Sequence, residues 1–384
     1  MSSWRPHLYK SNGIAQGRAR VTLLNAIVQA QKVQARGLPA ILTLGHLSKH
    51  VGVPYLLLRE VVRRKRDTAY REFPVAKRSG GWRRIYVPEP LLLRTQRWIS
   101  RYVLANLTPH SASVAYVRES SVFKAAEMHC RCQWLIKVDI QDFFESISER
   151  QVYLVYLQAG YQPLVAFELA RLCTWVFDEQ SLRYRRKRWR TSPERRSVPG
   201  EIGGYRDSRI GHLPQGAPTS PMLSNLVMAK FDAAAEAIAL SEGCVYTRYS
   251  DDLSISSDAS DFGRSRAENV VRELFALMRG SGFEPNPEKT VIAPPGARKI
   301  VLGLLVDSDR PRLRREFKSR LEAHVHGLVK FGPVQHARQR DFKSIFGMKR
   351  HLYGLLTYAE QIDSAFAEPL RKKLDSVVWP GVEP

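Results

Sequence analysis

Apolar positions recur at helical spacing over 21–36 and, in two shorter runs parted by Gly52-Val53-Pro54, over 42–66. At Tyr70 the period changes. Phe73-Pro74-Val75 and Arg83-Arg84-Ile85-Tyr86-Val87 read as short strands around Ser79-Gly80-Gly81, a hairpin with a basic tip. A helix over 91–107 carries an apolar stripe through Leu92, Trp98, Ile99 and Val103. A strand is predicted over 134–140, then helices over 149–159 and 164–177. Arg, Ser, Gly and Pro dominate 178–212, which reads as a long basic insertion. Beyond it lie a turn-rich stretch at 213–221, a helix over 222–239 and strand-like runs at 244–248 and 253–256. A helix over 264–280 and a strand-like 301–307 come next. From Arg312 onward the pattern is helical and basic. The series predicts an α+β fold in which helices cover one face of an antiparallel sheet and leave the other for a substrate.

The charge balance narrows the choice of partner. Lys and Arg number 60 against 37 Asp and Glu, a net +23 with a pI near 10.1, in a chain of 384 residues with room for two or three packed subdomains. Such an excess favours a polyanion, whose counterions are released on binding, and nucleic acid is the first candidate. Arg183-Tyr184-Arg185-Arg186-Lys187-Arg188-Trp189-Arg190 interleaves cations with aromatics, as backbone neutralisation with base stacking requires, although a solvated basic loop has the same composition. There is no apolar run of about 18 residues and no signal-peptide pattern over 1–30, so a soluble, cytoplasmic protein is expected. Cys130, Cys132, Cys173 and Cys244 are too few and too oddly spaced for a disulfide framework and are expected to be reduced thiols. His129-Cys130-Arg131-Cys132 lacks the second ligand pair of a zinc site, and on a strand the two cysteines would share one face.

The chemistry concentrates at Tyr249-Ser250-Asp251-Asp252, where two adjacent acids stand between two strand-like runs. Side chains alternate along a strand, so both carboxylates reach one ion cluster only where a tight turn breaks the alternation. Asp139, near the end of the strand at 134–140, offers a third acid. Three carboxylates on neighbouring strands supply the hard oxygen ligands that two-metal nucleotidyl transfer needs, whereas an isolated Asp-Asp pair is an ordinary solvated turn.

Three long motifs stand in order: Asp139-Ile140-Gln141-Asp142-Phe143-Phe144, then Leu213-Pro214-Gln215-Gly216-Ala217-Pro218-Thr219-Ser220-Pro221-Met222-Leu223-Ser224-Asn225, then Tyr249-Ser250-Asp251-Asp252. Together they resemble bacterial reverse transcriptases, most of all the retron type, over about 70–303. The resemblance implies a right-hand polymerase: an N-terminal helical region at 1–66, fingers at 67–133, a palm at 134–307 and a helical thumb at 308–384. It makes Asp139, Asp251 and Asp252 the catalytic, metal-binding triad, joined by the backbone carbonyl of Ile140, around two Mg²⁺ ions that Mn²⁺ can replace. Phe144 takes the place of the steric gate against a ribose 2′-hydroxyl, with Phe143 as its rival, and Gln215 lies beside the nucleotide. In the fingers Arg83 fits the triphosphate arginine best, with Lys77 second. Asn286-Pro287-Glu288-Lys289-Thr290 supplies Lys289 near the leaving pyrophosphate, and Val301-Leu302-Gly303-Leu304 matches the primer grip. Asp142 falls outside the triad and suits local hydrogen bonding.

Two segments depart from the retron pattern. Ala125-Ala126-Glu127-Met128-His129 keeps only the second alanine and the histidine of Asn-Ala-x-x-His, and Val301-Leu302-Gly303 stands for Val-Thr-Gly. Both bear on which RNA is recognised and how synthesis starts. The implied activity is RNA-directed DNA synthesis on a structured noncoding RNA, with dNTPs as substrates, a DNA product, and an effector protein as a further expected partner in antiphage defence. A defence-associated enzyme with protein-primed or untemplated synthesis, and a non-catalytic RNA-binding scaffold, stand beside it.

Overall fold

Prolines or small polar caps start several helices of this chain, as at Pro90, Pro163, Ser148 and Ser344. The computed structural model describes residues 5–76, 80–176 and 210–380. At the N-terminal end α1 (Pro6–Ala15), α2 (Arg20–Gln34), α3 (Leu44–Val51) and α4 (Tyr55–Val62) follow one another. Thr43 caps α3, accepting the His46 amide at 3.0 Å, and Gly52 ends it at φ 62°. The strands β1 (Tyr70–Ala76) and β2 (Trp82–Pro88) form an antiparallel ribbon with Tyr70 opposite Pro88 and Ala76 opposite Trp82. Residues 77–79 of its turn, Lys77 among them, lie outside the described residues.

After α5 (Pro90–Tyr102) and α6 (Val122–Glu127) comes β3 (Trp134–Gln141), then α7 (Phe143–Ser146), α8 (Glu149–Gln158) and α9 (Pro163–Cys173). A capping box at Ser148 and Gln151 opens α8. The predicted insertion falls on undescribed residues except at its end. Its flanks are paired, Trp175 and His212 exchanging backbone hydrogen bonds of 2.9 and 3.0 Å. Beside them the buried Glu149 accepts from Arg64 Nη2 at 2.7 Å, Arg171 Nε at 2.9 Å and the Gly211 amide at 3.1 Å. That network ties α4, α8 and α9 to the returning chain, and a buried carboxylate is tolerable only when paired in this way.

The rest comprises α10 (Ser220–Ser241), β4 (Val245–Tyr249), β5 (Asp252–Ser257), α11 (Arg264–Gly280) and β6 (Glu284–Ala293). Short strands β7 (Ile300–Val301), β8 (Leu304–Leu305) and β9 (Arg312–Leu313) precede α12 (Arg315–Gln339), α13 (Ile345–Ile362) and α14 (Ser364–Asp375). The central antiparallel sheet has the order β4-β5-β3-β6, and α10 and α11 pack on it. A large core joins these helices to α3, α4, α5, α8 and α9; a second gathers the C-terminal helices on β7 to β9.

The structure corrects the sequence reading at several points. β6 was not predicted, because Pro285 and Pro287 speak against a strand; β6 is an edge strand, where a missing amide donor costs no ladder bond. The strand expected over 301–307 is broken, with Leu302 and Gly303 at φ 49° and 87° forming a tight turn between β7 and β8. Cys130 and Cys132 lie in the turn after α6, with Arg131 between them at φ 64°, so they share no strand face. All four cysteines are free thiols.

Candidate active site

Asp139 lies near the end of β3 and pairs directly with Asp252, the first residue of β5. Tyr249 pairs with Asp252 across β4 and β5, so Ser250 and Asp251 alone form the turn. The Ile140 amide donates to the Asp251 carbonyl at 3.0 Å, which fastens the turn to β3. The register therefore brings together the three acids that the sequence proposed. Burial and the nearby Asp139 and Asp252 carboxylates push the Asp251 carboxyl above its ordinary pKa, with Lys289 opposing them.

Two lysines meet this charge. Lys289 Nζ donates to both Asp139 oxygens at 3.0 and 3.1 Å, and Asn286 Nδ2 donates to Asp139 Oδ1 at 3.0 Å. Lys137 Nζ donates to Asp252 Oδ2 at 3.2 Å. An irregularity in the β3–β6 ladder makes the first arrangement possible: Lys137 pairs with Val291 and Asp139 with Asn286, so 287–290 bulge opposite Val138. Lys137 had a signal in the sequence, since it precedes Asp139 by two residues and shares its strand face. Asn286 stood in a quoted motif without a role. Among the described residues no three His, Cys, Asp or Glu side chains are gathered in metal-holding positions, and Asp139 and Asp252 each face a lysine ammonium group.

Beneath the turn lies a buried ion pair that sequence reasoning missed. Arg248 on β4 is fully buried and makes two bonds of 2.7 Å to the equally buried Asp232 of α10. It also donates to the Ser250 carbonyl at 2.9 Å and to Ser113 Oγ at 3.1 Å, while Tyr246 Oη donates to Asp232 at 2.9 Å. The signal was Asp232 itself, an acid on the same helix face as Met228, Ala235 and Ala239. On the other side of the hairpin, buried His129 bridges Thr247 Oγ1 and Ser256 Oγ at 2.7 Å each. Burial lowers its pKa to about 4, so the ring is neutral, one nitrogen donating and the other accepting.

The remaining candidates lie on α7, in the turn before α10 and on β2. Phe143 is buried, with its ring 5.8 Å from the Arg248 guanidinium and 6.4 Å from Phe283, whereas Phe144 is only half-buried. Strand alternation does not separate them, because both lie in the single turn of α7, entered through Asp142 at φ 47°. Asp142 acts locally, its carbonyl accepting the Ser146 amide at 2.8 Å. The Gln215 carbonyl accepts the Tyr86 amide at 2.7 Å, tying β2 to this turn. Gly216 has φ 111°, and an added Cβ would come within 2.7 Å of Ile85 Cγ2, so glycine is needed on both counts. Arg83 is exposed on β2 opposite Val75 and, among the described residues, makes no ion pair.

A helix-backed antiparallel sheet with an acid-bearing hairpin beside the end of its central strand, tied to a two-stranded ribbon, defines a right-hand polymerase. The family described as reverse transcriptase (RNA-dependent DNA polymerase) matches residues 75–304. The retron Ec86 reverse transcriptase of Escherichia coli is 27% identical over 88% of this chain and 94% of its own length. The retron Mx65 enzyme of Myxococcus xanthus is 31% identical over 88% of this chain and 72% of its own, and the Mx162 enzyme of that organism 29% identical over 79% and 62%. This chain belongs to the reverse transcriptases, the RNA-directed DNA polymerases, in their retron group. Among the described residues no helix is long and apolar enough to cross a membrane.

Proposed function

We propose that this protein copies a structured noncoding RNA into DNA within a retron, with Asp139, Asp251 and Asp252 as the catalytic carboxylates. The observation that carries the reading is the β3–β5 register, in which Asp139 and Asp252 are direct partners and Asp251 occupies the adjoining turn. The donor set fits hard divalent cations: it is all oxygen, three carboxylates from neighbouring positions of β3, the turn and β5. Two Mg²⁺ ions, or Mn²⁺ in their place, would be held by the three carboxylates and the Ile140 carbonyl. When bound, such ions supply acidification of the primer hydroxyl and charge neutralisation on the departing pyrophosphate.

The protein's own groups do the rest. Phe144, half-buried beside the acids in sequence, places an aromatic edge against a ribose 2′-hydroxyl and selects dNTPs. Gln215 lines the nucleotide site from the turn that β2 holds. Lys289, whose ammonium group lies at Asp139, meets the pyrophosphate, and Arg83, with Lys77, meets the triphosphate. The basic chain, fingers at 67–133 and thumb at 308–384 included, holds template and product through their phosphates. An effector protein completes the defence role.

Extension of a primed RNA template with labelled dNTPs tests this reading. Template-complementary product with Mg²⁺ or Mn²⁺ is expected from the wild type. No incorporation with either ion would sink the reading, and product unrelated to the template would move it to untemplated synthesis.

A further inference from the structure

Only two residues separate β4 from β5, so the torsions at Ser250 set the direction of both carboxylates that follow it. Ser250 has φ 61° and Asp251 does not share the positive value, the pattern of a turn whose first central position is usually glycine. A serine there needs outside support, and it has two supports. The Ser250 carbonyl accepts from Arg248 Nη1 at 2.9 Å, and the Ser250 hydroxyl accepts from Tyr116 Oη at 3.2 Å. Tyr116 lies far away in sequence, on the segment before α6, and is itself left-handed at φ 60°. That segment is docked on the hairpin: the Val114 amide donates to the Arg248 carbonyl at 3.0 Å, and the Arg248 amide donates to the Ala112 carbonyl at 2.8 Å. Asn225 Nδ2 of α10 holds the Ala115 carbonyl at 2.6 Å. The Tyr116 ring leans on the Tyr249 ring at 6.1 Å, yet 45% of the residue stays exposed beside the acids.

We propose that Tyr116 is a positioning residue for DNA synthesis, its hydroxyl holding Ser250 in the left-handed turn and thereby aiming Asp251 and Asp252. The inference rests on the catalytic reading of those two acids. Its alternative is that the exposed ring merely packs, or contacts the template–primer duplex without acting on the turn.

A double-mutant cycle in the full chain separates these cases. Tyr116→Phe removes only the hydroxyl from a half-exposed ring, and Ser250→Ala removes the same bond from its other end, so neither is expected to prevent folding. Single-nucleotide extension of a preformed RNA–DNA primer–template would give kcat, KM for dNTP and KM for the duplex. Loss of one hydrogen bond that orients the reacting groups should lower kcat about three- to tenfold in each single variant. The double variant should be no slower than either, with both KM values unchanged and melting temperatures close to wild type. Multiplicative losses, unchanged kcat, or a change confined to the duplex KM would overturn the inference while leaving the catalytic reading intact. An inactive wild type would bring down both.

Discussion

Asp139 and Asp252 are direct cross-strand partners, like charges face to face, and each carboxylate is held by a lysine, Lys289 on the first and Lys137 on the second. Such a pair is unfavourable unless compensated. The compensation should pass from ammonium groups to divalent cations on loading. Mg²⁺ or Mn²⁺ should therefore raise the melting temperature of the wild type, because a ligand that binds only the folded state stabilises it. Asp251→Asn combined with Asp252→Asn should abolish that rise in a thermal melt and reduce DNA synthesis to background. RNA binding measured by filter retention should stay near wild type, since the basic surface is unaltered.

The two phenylalanines of α7 should separate stability from selectivity. Phe144→Ala should raise ribonucleotide incorporation with little effect on folding, as the side chain is only half-buried. Phe143→Ala removes a buried ring from contact with Phe283 and should cost about 3–5 kcal/mol in denaturant unfolding. The check is a competition between dNTP and NTP alongside a urea titration. Unchanged sugar preference in Phe144→Ala would move the gate elsewhere.

Arg248 and Asp232 form a fully buried pair, so removing one partner leaves an uncompensated charge. Arg248→Met should destabilise the protein by about 3–5 kcal/mol, as broken buried pairs do. Arg248→Met with Asp232→Leu should regain much of that loss, because two apolar side chains leave no orphaned charge. Denaturant midpoints measure both. The double variant should still synthesise DNA poorly, since nothing then holds the Ser250 carbonyl.

His129 makes stability depend on acidity in a defined window. Its folded pKa is lowered to about 4 from an ordinary 6.5, by burial. Above 6.5 both folded and unfolded chains carry a neutral ring and its full contribution is present. As the pH falls through 6.5 the unfolded chain takes the proton first, and stability drains until the folded ring also protonates near 4. The loss from this group should approach roughly 3 kcal/mol. It is read as the difference between wild type and His129→Gln in unfolding free energy over pH 4 to 8.

Much of the architecture was legible in local pattern. The helix over 264–280 emerged with the predicted bounds, the ribbon β1–β2 and the acid-bearing hairpin formed where strand-like runs and turn residues placed them, and α3 and α4 parted at Gly52-Val53-Pro54. Periodicity and turn chemistry are near-neighbour properties, so a single sequence carries them. The ordered motifs pointed to the three acids that the β3–β5 register sets side by side. Local sequence thus carried the element series, the basic charge and the acids offered for chemistry. Which strand lies at the edge was settled by long-range pairing, and with it that β6 could tolerate Pro285 and Pro287 and bulge to bring Lys289 onto Asp139. Tertiary packing alone brings Asp232 to Arg248 and Tyr116 to Ser250, 134 residues away. Those contacts join segments distant along the chain, and their free energy comes from burial and pairing that exist only once the sheet and helices have closed around them.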